Sequence, residues 1–236
     1  MKILITGSSG FIGSHLTEYL TSKGYRVTAF DRYNVNNDYG WLEKSKFQKK
    51  INFILGDLRD YDSVYKAMKG CDAVMHLAAL IGIPYSYNSP TAYIKTNIEG
   101  TFNVLEAAKN LKLKQVIITS TSEVYGTAKS KNLKESDPIS AQSPYAATKI
   151  AADQLSLSYY KSFNLPVKII RPFNTFGPRQ SLRAVIPTII SQFIKNKKTI
   201  IRVGNLKATR DFLYVEDLCL AYEEVLKSKK LFGEVV

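Results

Sequence analysis

The stretch KILITGSSGFIG, residues 2–13, joins a short apolar run to three glycines that lie three residues apart. A β-branched run that ends in a glycine turn is typical of a buried strand, and Ile12, Leu16 and Leu20 then recur at helical spacing. Glycines at such a turn allow backbone N–H groups and a helix N-terminus to approach a pyrophosphate, because no side chain blocks them. The stretch therefore predicts a strand, turn and helix that open a dinucleotide-binding fold.

The chain repeats this alternation of strand and helix. Short apolar runs predict further strands at RVTAF, NFIL, AVMHLA, QVIIT and VKIIR, and helical spacing predicts helices over 11–23, 61–68, 90–110 and 144–163. This order is typical of an α/β protein with a Rossmann-type, doubly wound parallel sheet that helices cover on both faces. We therefore predict that residues 1–171 form the dinucleotide-binding domain.

The pattern changes after residue 171. The loop RPFNTFGPRQ is rich in proline and arginine, and it precedes a predicted helix at 184–195, a short strand at 199–203 and a helix at 215–228. The terminal EVV resembles the first half of a strand. We therefore expect 172–236 to be a small, truncated part of a substrate-binding region that is interleaved with the end of the Rossmann sheet.

The composition is that of a globular protein without a membrane segment. Hydrophobic residues make up 45% of the 236 and charged residues 22%, and no apolar run approaches the roughly 18 residues that span a bilayer. The chain runs from Met1 directly into a strand, so we expect no signal peptide and a cytoplasmic location. Cys71 and Cys219 are predicted to be buried thiols rather than a disulfide or a metal pair.

The formal net charge of +13 raises the question of a nucleic-acid partner. The lysines are scattered through short polar segments such as KSKFQKK, KNLKLK and KNKK, and no RNA-binding or recognition-helix motif accompanies them. A lysine-rich solvated surface explains this pattern, so we predict no nucleic-acid partner, no membrane partner and no metal. A positive field would still favour a ligand that carries phosphates.

Asp31 closes the second predicted strand, 18 residues after Gly13. A carboxylate there can accept hydrogen bonds from an adenosine ribose and repel a 2′-phosphate, so NAD is the predicted cofactor. The neighbouring Arg32 could pair with a 2′-phosphate, which leaves NADP open. Other residues at the strand ends are predicted to contact the cofactor: Gly7, Gly10, Phe11, Ile12, Asp57, Leu58, Leu77, Ala78 and Ala79. His76, at the end of an apolar run, is predicted to be a hydrogen-bonded core histidine rather than a base.

Tyr145 and Lys149 lie four residues apart on the helix that Pro144 helps to begin, so their side chains share one face. A tyrosine hydroxyl normally titrates near 10, and a nearby cation stabilises its phenolate. Such a pair can remove a proton from an alcohol while hydride leaves for a nicotinamide. Tyr145 and Lys149 are therefore candidates for both catalysis and cofactor binding.

A series of motifs resembles the extended short-chain dehydrogenase/reductases that act on nucleotide sugars. TGSSGFIG, HLAA, TNIEGT, STSEVYG, YAATK, RPFNTFGPRQ and TRDFLYVEDL follow the order of that family over essentially the whole chain. The resemblance implies that Thr121 binds the reacting sugar oxygen, that Tyr145 is the base and that Lys149 binds the nicotinamide ribose. It also implies that Asn97 contacts the cofactor and helps to hold the site, although an amide that only packs helices together is an alternative.

Glu123 separates two activities within this family. Epimerases usually have an uncharged residue at this position, whereas 4,6-dehydratases have a carboxylate that removes the C5 proton after C4 is oxidised. The resemblance therefore favours a NAD-dependent 4,6-dehydratase, a hydro-lyase, over a 4-epimerase. Ser122 stands where some dehydratases have an aspartic acid that protonates the leaving hydroxyl, so the proton donor stays open. A Glu123 that is only solvated or salt-bridged is a further alternative.

A finer resemblance concerns the substrate. DRYNVNNDYGWLE, HLAALIGIPYSY and SLRAVIPTIISQ look like the nucleotide-sugar 4,6-dehydratases of legionaminic acid biosynthesis, which implies a GDP- or UDP-linked N-acetylglucosamine and a 4-keto-6-deoxy product for cell-surface glycans. The predicted substrate contacts are Asn174, Arg179, Val185, Ile186 and Arg210. By the same analogy, the helices at 90–110 and 144–163 imply a homodimer through a four-helix bundle. A non-catalytic NAD-responsive or RNA-associated protein is the alternative from another class.

Overall fold

A computed structural model of the chain describes residues 1–128, 132–195, 200–207 and 209–236. Its centre is a parallel sheet of six strands in the order β3-β2-β1-β4-β5-β6. The strands are β1 Lys2–Thr6, β2 Arg26–Arg32, β3 Asn52–Gly56, β4 Ala73–His76, β5 Gln115–Thr119 and β6 Val167–Ile170. Because the strand order reverses between β1 and β4, a crevice opens at the carboxyl ends of these two strands.

The helices alternate with the strands along the chain. They are α1 Phe11–Ser22, α2 Tyr61–Met68, α3 Ile83–Asn88, α4 Pro90–Tyr93, α5 Gly100–Asn110, α6 Pro144–Phe163, α7 Val185–Lys195 and α8 Val215–Lys227. A wide π-helical segment, Ile94–Glu99, joins α4 to α5, and short 3₁₀ turns occur at Gly40–Lys44, Gln48–Lys50 and Ser122–Tyr125. A separate pair of parallel strands, β7 Asn174–Phe176 and β8 Phe212–Tyr214, lies outside the main sheet.

Two apolar layers hold the sheet between its helices. Alternate strand residues such as Leu4 and Val74 pack against α2, α5 and α6 on one face. Their neighbours Ile3 and Met75 pack against α1 and α8 on the other face. Both faces are buried, which explains why the strand sequences are continuously apolar rather than alternating. The Rossmann-type fold expected from the sequence is confirmed.

The ends of the elements agree closely with the sequence prediction in most places. α2 and α6 have the predicted bounds, and Ser143 caps α6 by accepting a hydrogen bond from the Ala146 N–H at 3.1 Å. The predicted helix at 90–110 instead contains the π-helical segment, and α3 was not foreseen. Among the described residues, no helix is both long enough and apolar enough to cross a bilayer.

The predictions after residue 171 had mixed outcomes. The strand expected at 199–203 is wrong for residues 200–203, while Thr199 lies outside the described residues. Arg202 instead exchanges two backbone hydrogen bonds of 2.9 Å with the side-chain amide of Gln192 on α7, so its backbone has no strand partner. The strand character of EVV is confirmed, because Val235 pairs in parallel with Ile169 of β6.

Candidate functional site

An open cleft of about 1050 Å³ lies over the crevice between β1 and β4. It is lined by all five predicted catalytic residues: Thr121, Ser122, Glu123, Tyr145 and Lys149. It is also lined by most of the predicted cofactor contacts, namely Gly7, Gly10, Phe11, Ile12, Gly13, Asp31, Leu77, Ala78 and Ala79. Among the predicted substrate contacts, Asn174, Val185 and Ile186 line the cleft. The fold thus brings together residues that lie far apart in the sequence.

The glycine turn forms a cradle that side chains would fill. Gly7 has a φ of +70°, and a Cβ at this position would lie 2.8 Å from the Ala78 Cα atom. A Cβ on Gly13 would clash with the Gly7 carbonyl, so the first turn of α1 packs directly on the glycine turn. Gly7 supplies the left-handed conformation that other residues adopt only with strain. The cradle therefore fits the pyrophosphate of a dinucleotide.

Asp31, near the end of β2, binds the glycine turn through hydrogen bonds. Its Oδ2 atom accepts hydrogen bonds from the Ser9 N–H at 2.8 Å, from the Ser9 hydroxyl at 2.7 Å and from the Ser8 hydroxyl. Burial raises the pKa of the Asp31 carboxyl, and the hydrogen bonds from Ser8 and Ser9 oppose that shift. The sequence did not predict that Ser8 and Ser9 bind Asp31. The signal that could have shown it is that both serines follow β1 while Asp31 lies near the end of β2, the neighbouring strand in a parallel sheet.

Four of the predicted cofactor contacts do not line the cleft. Arg32 is exposed, and Leu58 is buried in the core. The Asp57 carboxylate is gripped by Arg59, whose Nε donates to Oδ1 at 3.0 Å, and these bonds lower the pKa of Asp57. Asp57 is thus held in a local ion pair, and its predicted contact with the cofactor stays a prediction. The positive charge of Arg32 also helps to lower the pKa of Asp57.

Asn97 is the fourth of these, and it braces the site from behind. It is buried in the π-helical segment, where its Oδ1 accepts from the Leu80 N–H at 2.8 Å. Its Nδ2 donates to the Leu80 carbonyl and to the Thr148 hydroxyl, both at 3.0 Å. Asn97 therefore ties the segment after β4 to the catalytic helix, and its polar atoms are used within the protein rather than presented to a cofactor.

Neither of the two predicted substrate cations lines the cleft. Arg179 forms an ion pair of 2.8 Å with Glu18 on α1, and Arg210 is exposed and donates to the Thr209 carbonyl at 2.8 Å. The arginine that the structure places on the cleft lining is Arg183, in the segment before α7. None of the ion pairs between described residues includes Arg183, so its guanidinium is available to an anionic ligand.

The residues that follow β4 form a wall that the sequence analysis did not assign. Tyr85 and Asn88 of α3 line the cleft beside Ile81 and Pro84. Their signal was their place directly after an apolar strand, because ligands of open α/β sheets bind at carboxyl strand ends. His76 in β4 is buried between the Thr6 and Thr101 hydroxyls, at 2.7 and 3.1 Å. Burial lowers its pKa to about 3, which confirms a neutral core histidine.

Tyr145 and Lys149 lie side by side on the first two turns of α6, and both are buried. Burial raises the pKa of Tyr145 to about 12, a hydrogen bond with Thr121 opposes the shift, and the Glu123 charge adds to it. Burial lowers the pKa of Lys149 to about 8, and the Asp153 charge opposes that shift. The Lys149 ammonium donates to the Thr119 carbonyl at the end of β5.

The TSE segment forms a 3₁₀ turn on the cleft wall. Thr121 caps this turn by accepting a hydrogen bond from the Glu123 N–H at 3.2 Å, and the Ser122 N–H donates to the Pro172 carbonyl at 3.1 Å. Ser122 and Glu123 are half-buried and line the cleft. No ion pair between described residues includes Glu123. A carboxylate, two hydroxyls and a buried tyrosine therefore face one space, which suits proton transfer on a polyol.

Known enzymes of nucleotide sugars are similar to this chain. The family model of GDP-mannose 4,6 dehydratase matches residues 4–235. The chain is 36% identical to a dTDP-D-glucose 4,6-dehydratase of Dictyostelium discoideum over 98% of its own length and 56% of that protein. The chain thus spans little more than half of that relative.

Two solved structures are similar over the whole chain. The dTDP-glucose 4,6-dehydratase DesIV from Streptomyces venezuelae, crystallised with NAD, superposes with a TM-score of 0.90 at 29% identity and is covered over 74% of its length. A UDP-N-acetylglucosamine 4-epimerase from Methanobrevibacter ruminantium has a TM-score of 0.89 at 34% identity and is covered over 75%. Dehydratases and epimerases of nucleotide sugars are thus both among the similar proteins.

Proposed function

This chain belongs to the NAD-dependent epimerase/dehydratase family of extended short-chain dehydrogenase/reductases, and from that premise we propose that it is a nucleotide-sugar 4,6-dehydratase. The observation that carries the proposal is the Glu123 carboxylate, which lines the cleft beside Thr121 and whose charge acts on Tyr145. A 4-epimerase only oxidises and reduces one carbon, so it does not need a second proton-transfer group. A dehydratase needs such a group to remove the C5 proton.

NAD is the cofactor of this family, and the residues present fit it. The cradle at Gly7, Gly10 and Gly13 and the N-terminus of α1 would hold the pyrophosphate. Asp31, already held by Ser8 and Ser9, offers its second carboxylate oxygen to the adenosine ribose. When bound, NAD accepts a hydride from the sugar C4 and returns it to C6, so that it is regenerated in each turnover.

Thr121 and Tyr145 act on the C4 hydroxyl. Thr121, which shares a hydrogen bond with Tyr145, orients the sugar oxygen, and the Tyr145 oxygen takes the hydroxyl proton as C4 becomes a ketone. Lys149 binds the nicotinamide ribose and supplies positive charge near the phenolate. Because burial alone keeps Tyr145 protonated, this charge is needed for Tyr145 to act as a base.

Glu123 and Ser122 act on C5 and C6. The C4 ketone acidifies the C5 proton, Glu123 removes it, and the C6 hydroxyl leaves with a proton as water. Hydride at C6 and a proton at C5 then complete the 4-keto-6-deoxy product, so the net change is the loss of one water. The proton for the leaving hydroxyl comes from Ser122, from a water beside it or from protonated Glu123.

The substrate that we propose is GDP- or UDP-linked N-acetylglucosamine, for glycans of the legionaminic acid type. The resemblance of the DRYNVNNDYGWLE and SLRAVIPTIISQ segments supports it. Arg183 is placed in the cleft to meet the diphosphate, because a guanidinium fork suits phosphate oxygens. Val185 and Ile186 give the nucleotide base an apolar wall.

The assembly that we propose is a homodimer through α5 and α6. Ile94 and Phe102 are exposed at 47% and 43% on the π-helical segment and α5, and Phe163 is exposed at 53% at the end of α6. Large apolar side chains exposed on neighbouring helices favour an interface. We also propose a cytoplasmic location, in keeping with the free thiols of Cys71 and Cys219.

Product mass tests the proposed reaction. The protein is incubated with NAD and with UDP- or GDP-N-acetylglucosamine, and the nucleotide sugar is analysed by mass spectrometry. We expect loss of one water and a 4-keto product, and we expect Glu123→Gln to slow its formation about 100-fold, which is a typical contribution of general acid–base catalysis. Glu135→Gln, at an exposed loop position, is the matched control and keeps the normal rate.

Each other outcome points to a definite alternative. An isomeric sugar of unchanged mass would show a 4-epimerase. Normal dehydration by Glu123→Gln would remove the role of Glu123 while keeping the dehydratase. Tight, salt-sensitive RNA binding without turnover would favour the non-catalytic alternative.

A further inference from the structure

A buried ion pair lies beneath the catalytic wall of the cleft. Asp153, one helical turn after Lys149 on α6, pairs with Arg171 at the end of β6, and the Nη2 to Oδ2 distance is 3.0 Å. The side chains are 0% and 6% exposed, so both charges are removed from water. Burying an ion pair is often no better for stability than burying apolar residues of the same volume. The pair therefore calls for an explanation other than stability.

The pair holds both ends of the turn that carries Thr121 and Glu123. The Ser120 hydroxyl, directly before Thr121, donates to Asp153 Oδ2 at 2.9 Å. Arg171 Nη1 donates to the hydroxyl of Tyr125, the last residue of the turn, at 2.9 Å, and the guanidinium lies over the Tyr125 ring. Both flanks of the turn are thus bonded to one ion pair that is itself anchored in α6 and β6.

The same carboxylate acts on the charge of Lys149. The Asp153 charge opposes the lowering of the Lys149 pKa by burial, and it also adds to the raised pKa of Tyr145. Other titratable groups face these residues from the neighbouring elements. They are His76 in β4, which is neutral, Tyr93 of α4, whose ring lies against that of Tyr145, Glu123 and Tyr125 in the 3₁₀ turn, Arg171 after β6 and Tyr222 of α8, whose hydroxyl bonds to Thr119.

One oxygen of Asp153 has no hydrogen-bond partner. The Ser120 hydroxyl and the Arg171 Nε and Nη2 atoms all bond to Oδ2, whereas Oδ1 is buried and unbonded. An unbonded buried oxygen makes the carboxylate form costly, and burial accordingly raises the pKa of Asp153. The Ser120 hydrogen bond and the charges of Arg171 and Lys149 oppose that shift, so the Asp153 charge depends on the same groups that it holds.

We propose that Asp153 is a positioning residue of the reaction, which through Ser120 and Arg171 holds the Thr121 to Tyr125 turn in place and through its charge keeps Lys149 protonated. The inference rests on the proposed use of Tyr145 and Lys149, which a dehydratase and an epimerase share. Product mass decides between those two activities. The position of the pH profile and the titration of Lys149 decide the role of Asp153. A wrong proposal for the reaction and a wrong proposal for Asp153 therefore give different results.

Asp153→Asn tests the charge. Removing the carboxylate lowers the pKa of both Lys149 and Tyr145, so both limbs of the activity profile move to lower pH. We expect a displacement of roughly one pH unit, as for removal of an opposite charge near a titrating group. Asp217→Asn, at an exposed position on α8, is the matched control and leaves the profile in place. A lower activity with an unmoved profile would show that Asp153 is only structural.

Lys149 can also be titrated without turnover. In protein labelled with [¹³C]lysine, its Cε–H resonance is identified by its loss in Lys149→Met, and its midpoint is compared between wild type and Asp153→Asn. We expect a lower midpoint in the variant, and equal midpoints would overturn the proposed charge effect.

Ser120→Ala tests whether Asp153 holds the Thr121 to Tyr125 turn in place. This variant keeps the Asp153–Arg171 ion pair, so it gives a result even if Asp153→Asn does not fold. We expect kcat to fall about tenfold while the KM, the NAD affinity and the position of the pH profile stay unchanged. An unchanged kcat would overturn the positioning role.

Discussion

Gly7→Ala should weaken the protein and its cofactor site through two separable effects. The first is backbone strain, because a φ of +70° costs an alanine about 1–2 kcal/mol. The second is contact, since the new Cβ would lie 2.8 Å from the Ala78 Cα and 2.9 Å from its nitrogen. Ala78 cannot move away freely, because its N–H donates to the Thr6 hydroxyl at 3.2 Å. Overpacking of this kind costs about 1–3 kcal/mol more.

The chain offers a control that separates strain from contact. Gly70 has a φ of +74°, and a Cβ there would meet nothing within 4 Å. Gly70→Ala should therefore lose only the strain energy, about 1–2 kcal/mol, and should keep its NAD affinity. Gly7→Ala should lose about 2–5 kcal/mol of unfolding free energy and at least about tenfold in NAD affinity, since the turn shifts away from the pyrophosphate.

Urea unfolding gives the two stabilities, and calorimetric titration with NAD gives the two affinities. Equal losses of unfolding free energy in the two variants would show that the contact with Ala78 contributes nothing. A destabilised Gly7→Ala that still bound NAD normally would show that the glycine turn does not determine NAD affinity. Ala78→Gly combined with Gly7→Ala should not restore binding, since the closest contacts are to the Ala78 backbone.

Two further predictions concern pH and assembly. Activity should fall as the pH rises through about 8, because burial lowers the pKa of Lys149 to about 8. One pH unit higher, roughly a tenth of the Lys149 side chains remain protonated. A kcat/KM profile that stays flat through this range would contradict the role of Lys149. Light scattering should give twice the mass of one chain. Phe102→Glu should lower that mass toward the mass of a single chain, since a charge placed in the proposed interface opposes burial. A single-chain mass for the unmodified protein would contradict the homodimer.

The parts of the site that the sequence predicted are those that local chain geometry determines. Gly7, Gly10 and Gly13 follow a strand directly, and Tyr145 and Lys149 share a helix face because four residues make one turn. Such patterns need no knowledge of distant contacts. The same holds for the bounds of α2 and α6, which the apolar spacing and the proline at the start of α6 determine.

The parts that the sequence missed depend on tertiary partners. Arg179 and Arg183 lie in the same arginine-bearing region, and only the presence of Glu18 on α1 decides that Arg179 is paired while Arg183 faces the cleft. Asp57 was predicted to contact the cofactor because it follows a strand, and only the structure shows that Arg59, two residues away, binds its carboxylate. A side chain's role in a cleft is therefore decided by which opposite charges the fold brings within reach.

The proton chemistry of the cleft shows this limit most clearly. A tyrosine and a lysine have ordinary pKa values close to one another, so the pair YxxxK says nothing about which group is charged. Burial moves them apart, Tyr145 to about 12 and Lys149 to about 8, because it favours the neutral form of each. The negative charge of Asp153 then acts on both groups, and that of Glu123 acts on Tyr145. The reactivity of the pair thus follows from four residues that only the folded chain assembles.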